Sequence, residues 1–189
     1  MITVACALMV LGTLQKEVLV RTSSSRAEEN SEVRVDGFRS ARFGMTEKGV
    51  LKSIFKDFKI PKSKIQRRVH PTEKTLSFKF QMNDLLPDSG KASLFYVFGF
   101  NSKRLIQVNV LWGRTTEEKP DPQRVVDTAN QLRTHFLNQG FQKKGLAVNS
   151  KLPDGSVPAF RGVDAKGRRV ILLLVNPPRQ GGSACQSKY

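Results

Sequence analysis

The sequence predicts an α+β fold: two αβββ-type units, each a helix packed on a small antiparallel sheet, placed after an N-terminal apolar segment. Three patterns predict it. Apolar residues repeat at helical spacing over residues 47–58 and again from residue 122 onward, short alternating runs follow each helix, and the same order of elements occurs in both halves of the 189-residue chain. An apolar content of 39% with 25% charged residues suits one medium or two small packed domains.

Residues 2–14, ITVACALMVLGTL, form an apolar run of 13, short for a bilayer span and of signal-peptide length. Ser25 and Ala27 stand at the small-residue positions of a cleavage site before Glu28. Residues 1–27 are therefore expected to be a signal peptide or membrane anchor. No Lys or Arg precedes the run, which a start codon assigned too far downstream would explain. Cys6 lies inside the run and not after it, against a lipid-attachment signal. A polar linker covers 28–34.

The first α+β unit spans 35–115. Thr46 is placed to cap a helix over 47–58, with Val50, Leu51, Ile54, Phe55 and Phe58 on one face and Met45 and Val50 at the staple positions. Pro61 lies just past its end. Strands follow over 75–81, where Leu76, Phe78 and Phe80 alternate, over 92–100, and over 105–112, where Ile106, Val108, Val110 and Trp112 alternate. The run from Leu94 to Phe100 is apolar at successive positions and reads as a central strand.

The second unit spans 116–176. Asp121 caps a helix with Pro122 at its first position, Val125, Val126, Ala129, Leu132 and Phe136 share a face, and Gly140 ends it. Strands are expected over 141–149, 157–163 and 170–175. The turn from Gly99 to Arg104 is echoed between Gly162 and Arg168, which supports a tandem duplication. Residues 177–189 have the composition of a disordered tail.

The segment Phe43-Gly44-Met45-Thr46, with Val50 four residues on, resembles the small bacterial envelope proteins of the SmpA/OmlA type. In that family such a segment opens a helical layer on a short antiparallel sheet, and the beta-lactamase inhibitor proteins carry a tandem version of a similar unit. The resemblance implies a periplasmic scaffold or binding module working in a larger envelope assembly. It does not carry over a role in outer-membrane protein assembly, because this chain lacks the lipid-attachment cysteine and is far more basic.

Cys6 and Cys185 stand near opposite ends and form neither a disulfide framework nor a zinc motif. His70 and His135 read as solvated or structural, and Asp84 and Asp88 as turn residues around Leu85-Leu86-Pro87. Nucleophile elbow, phosphate-binding glycine loop, HExxH and dinucleotide motif are all missing. No catalytic residue, metal or cofactor is expected.

The charge is the positive signal: 32 basic against 16 acidic residues gives +16. Residues 1–27 hold three basic and one acidic residue, so 29 minus 15 leaves +14 beyond them. Such a balance implies an anionic partner. The candidate binding residues are Lys52, Lys56 and Lys59 on the first helix, then Lys62, Lys64, Arg67 and Arg68, and at the hairpin tips Lys103, Arg104, Lys166, Arg168 and Arg169. Phe78, Phe80, Tyr96, Phe98 and Phe100 could stack bases, but without an RNP1 pattern they read as core.

The expected function is a non-catalytic periplasmic or membrane-associated accessory protein. It would dock a protein partner in an envelope complex, or an acidic lipid surface, through its basic residues. The alternative is a nucleic-acid-binding protein whose N-terminal apolar run is a core element.

Overall fold

The computed structural model describes the backbone of residues 5–11, and residues 33–141 and 156–175 in full. Helix α1 (Glu47–Phe58) starts where Thr46 holds an extended backbone and its Oγ1 accepts a hydrogen bond from the Gly49 N–H at 3.3 Å. Lys59 ends it in the left-handed region, with φ 57° and its N–H bonded to the Phe55 carbonyl. Helix α2 (Pro122–Leu137) starts at Asp121, whose carboxylate accepts from the Gln123 N–H at 2.9 Å. Both N-caps and the bounds of α1 match the sequence expectation, whereas α2 stops at Leu137, with Asn138 as its C-cap, ahead of the expected stop at Gly140.

Among the described residues, seven strands form one antiparallel sheet. They are β1 (Ala5–Leu11), β4 (Gln66–Val69), β5 (Leu76–Asn83), β6 (Lys91–Phe98), β7 (Leu105–Trp112), β8 (Val157–Val163) and β9 (Arg169–Val175), in the order β4-β5-β6-β7-β1-β9-β8. Strands β2 (Gly37–Phe38) and β3 (Ala41–Arg42) pair separately ahead of α1. The molecule is α+β, as expected.

Register shows that both helices lie on one face. Phe80, Leu94, Val110, Leu8, Leu172 and Phe160 are successive partners across the sheet. At one end of this row the Phe58 ring of α1 stands 5.5 Å from Phe80; at the other, the Phe136 ring of α2 stands 5.3 Å from Phe160. Between them Leu94, Val108, Val110 and Leu172 are fully buried. The neighbouring row runs Lys79, Phe95, Asn109, Met9, Ile171 and Arg161 on the opposite face. Half-buried and polar side chains alternate there with the fully buried ones, the pattern of a sheet covered on one side.

Two strands differ from expectation. Residues 5–11, read from the sequence as the core of a signal peptide or anchor, run between β7 and β9 and pair with both. An unbroken apolar run has no period, so its sequence cannot separate a leader from an interior strand. Strand β4 was not expected because its QRRV sequence is exposed throughout, as befits an edge strand. Apart from Phe141, the expected strand over 141–149 lies outside the described residues, as do the cleavage site at Ala27, most of the linker and the tail 177–189.

Candidate docking surface

Helix α1 carries more apolar surface than the sheet covers. At about 100° per residue, Val50, Ile54, Phe58, Leu51 and Phe55 spread over roughly 140° of its circumference. Val50 and Ile54, at one edge of this arc, are fully buried. Phe55, at the other edge, is 57% exposed, which corrects its reading as core. Next round the helix come Lys48, Lys59, Lys52 and Lys56, all exposed. The chain leaving α1 then brings Ile60 and Lys62 alongside, so Lys48, Leu51, Lys52, Phe55, Ile60 and Lys62 line one shallow groove. The Lys59 ammonium stands 6.0 Å from the centroid of the Phe55 ring. The result is an apolar floor with a cationic rim.

The other predicted basic residues do not join this groove as one patch. Arg67 lies opposite Phe78 and pairs with Glu47 at 3.6 Å, whereas Arg68 lies opposite Ser77 and bonds the Gln66 amide. Successive strand residues point to opposite faces, so the dense KIQRR stretch is divided between them. The hairpin tips form a second group. Strands β7 and β9 are both antiparallel to β1 and therefore run the same way, which puts Lys103, Arg104, Lys166 and Arg169 at one end of the sheet, on hairpins whose inner strands lie two strand spacings (about 10 Å) apart. Backbone bonds from the Gly44 N–H to the Leu105 carbonyl and from the Leu105 N–H to the Met45 carbonyl dock this end against the start of α1. Gly44 has φ +86°, a conformation that suits glycine.

Arg168 is a correction. Its side chain is 11% exposed and is held between Asp36 and Asp164, with the Arg168 Nε–Asp164 Oδ2 bond at 2.8 Å. Asp164, whose side chain is 1% exposed, also accepts from the N–H groups of Val35, Lys166 and Arg168, each at 2.9 Å. Burial raises the Asp164 pKa, but these backbone donors and the guanidinium together outweigh it and hold the carboxyl below its ordinary value. Asp36 is lowered by its hydrogen bond from Arg168. This guanidinium is occupied in clasping the segment before β2 to the β8–β9 turn.

No family model, curated protein or solved structure matches the chain. Among the described residues, no three His, Cys, Asp or Glu side chains gather as metal ligands, and no helix is long and apolar enough to cross a membrane. His70 Nδ1 accepts from the Glu73 N–H at 3.1 Å in an exposed turn, and Asp84 accepts from the Gly90 N–H at 3.0 Å in another. Phe78, Phe80, Tyr96 and Phe98 are buried as expected; Phe100 is instead half exposed, with the Lys103 ammonium 4.6 Å from its ring centroid.

Sequence reasoning missed Lys48 and the role of Leu51, Phe55 and Ile60. The signal for them was the width of the apolar arc, broader than one sheet face can cover, running directly into a lysine stripe at i, i+4 spacing.

Proposed function

We propose that the protein is a non-catalytic accessory subunit of a periplasmic or membrane-associated assembly, and that the groove on α1 holds an acidic protein segment carrying apolar side chains. The observation that supports this reading is Phe55, 57% exposed in a groove rimmed by Lys48, Lys52 and Lys62. Full burial of an exposed phenylalanine ring is worth about 1.5–3 kcal/mol, and covering the 57% of Phe55 that is exposed recovers roughly half of that, which supplies affinity. The lysines supply encounter rate and select carboxylates, each exposed pair being worth only about 0–1 kcal/mol. The resemblance of the Phe43–Val50 segment to SmpA/OmlA-type proteins supports the envelope location.

The test is co-purification from native membranes of the full chain, of Phe55→Ser and of a Lys48→Glu/Lys52→Glu/Lys62→Glu variant. A stoichiometric protein kept by the parent and by a Lys166→Glu control, but lost from both groove variants, is the expected result. An identical set of companions for all four chains, or capture by acidic-lipid vesicles alone, would defeat the proposal.

A second reading is favoured by one observation: the backbone of residues 5–11 pairs with two strands of the sheet. On that reading the basic groups at the sheet end meet nucleic-acid phosphates. Its marks are cytoplasmic location of the intact chain, and DNA or RNA affinity that falls steeply with salt and is lost on charge reversal at Lys103, Arg104, Lys166 and Arg169.

A further inference from the structure

A cavity of about 530 Å³ lies where the segment before β2 meets α2, lined by residues separate from those of the α1 groove. This is the junction of the two units, a place where small-molecule sites commonly form. Its floor is aromatic and aliphatic. Phe136 and Phe141 line it and the fully buried Phe160 ring backs them, the three packing with centroids 5.3–6.4 Å apart; Gly162 makes room for them, since a Cβ there would meet both the Phe141 and Phe160 rings at 2.7 Å. Val35, Leu132 and Val170, all buried, complete the apolar wall.

The wall formed by residues 33–38 is held in place by the clasp. The Val35 N–H is tied to Asp164 and the Asp36 carboxylate to Arg168, across more than 120 residues of sequence. The rim is polar, and Arg34 is the one Lys or Arg among its described lining residues. Arg34, Gln131, His135 and Gln139 line it, and no described carboxylate does. The Arg34 side chain is 65% exposed and makes a 3.4 Å pair with Asp36, which is itself committed to Arg168.

We infer that this cavity binds a small amphiphile with an apolar body and a carboxylate head, the body lying on the phenylalanine floor and the head at Arg34 and the rim amides. The inference is independent of the α1 groove, which lies on other residues.

The probe is cis-parinaric acid, whose fluorescence rises in an apolar site, titrated into the full chain. Saturable uptake of one probe per chain is expected, with displacement by decanoate and not by decylamine. Arg34→Gln should weaken decanoate about tenfold. Leu132→Trp, which fills the cavity, should abolish uptake; because Leu132 is buried, His135→Trp on the exposed rim serves as a second filling variant, with circular dichroism confirming the fold of each. Phe55→Ser should bind as the parent does. Absence of saturable uptake by the folded chain, equal displacement by decylamine, uptake that survives a folded filling variant, or loss in Phe55→Ser would each overturn the inference. The last of these leaves the α1 groove standing, whereas a parent chain that captures no partner but takes up the probe defeats the groove and leaves this inference standing.

Discussion

Asp164 accepts hydrogen bonds from three backbone N–H groups and from the Arg168 guanidinium, and it is almost wholly buried. Removing one partner of such a pair leaves the other charge without compensation. Asp164→Ala is therefore expected to cost about 3–5 kcal/mol, measured by urea denaturation at neutral pH. The same site sets an acid sensitivity. Asp36 and Asp164 both have folded pKa values below their ordinary ones, so their contribution is complete above the ordinary carboxylate range and is lost as pH falls through the depressed folded values. Stability of the parent should thus fall on acidification below about pH 4, and that of Asp164→Ala should fall less steeply over the same window. Equal slopes would show that the clasp does not govern acid unfolding. In the sequence Arg168 looked like one more basic residue of a hairpin tip, because nothing local reveals that its partner Asp36 lies 132 positions away.

At the scale of the element, α1 separates what packs from what binds. Ile54 is fully buried and Phe55 is 57% exposed, although they are neighbours on one helix. Ile54→Ala should cost about 2–5 kcal/mol of stability, whereas Phe55→Ser should change it by no more than about 0.5 kcal/mol. Thr46→Ala removes the cap and should cost about 1 kcal/mol. Chemical denaturation of the three variants checks this order; a large loss for Phe55→Ser would place that ring in the core and remove the basis of the docking groove. The helix itself was legible, since cap, period and stop agree in the sequence, and β5 and β7 were legible from alternation. Strand β4 was not, because exposed Gln, Arg, Arg and Val on an edge follow no apolar period. The basic site was half legible: charge density is visible in sequence, but only strand pairing reveals that Arg67 and Arg68 face opposite ways.

At the scale of the whole molecule, β1 decides whether there is one sheet or two. Without it the order β4-β5-β6-β7-β1-β9-β8 divides into a four-stranded piece under α1 and a two-stranded piece under α2. The register pairs Leu8 with Val110 on one side and Leu172 on the other, so the backbone of β1 joins the two pieces and satisfies the facing edges of β7 and β9. A two-stranded piece is at best marginal alone, and two uncovered apolar edges invite pairing with other chains. Met9→Pro removes a ladder donor in the middle of β1, where proline is not tolerated in a central strand. The full chain with this substitution is expected to lose slow amide exchange along β9 first, with β5 and β6 keeping theirs, and to aggregate on warming at lower temperature than the parent. A chain starting at Glu28 should behave in the same way if the N-terminal strand belongs to the folded protein. Unchanged exchange in β9 and unchanged solubility for both would instead assign residues 1–27 to a leader that the mature protein does without, and would return the junction of β7 and β9 to some other strand.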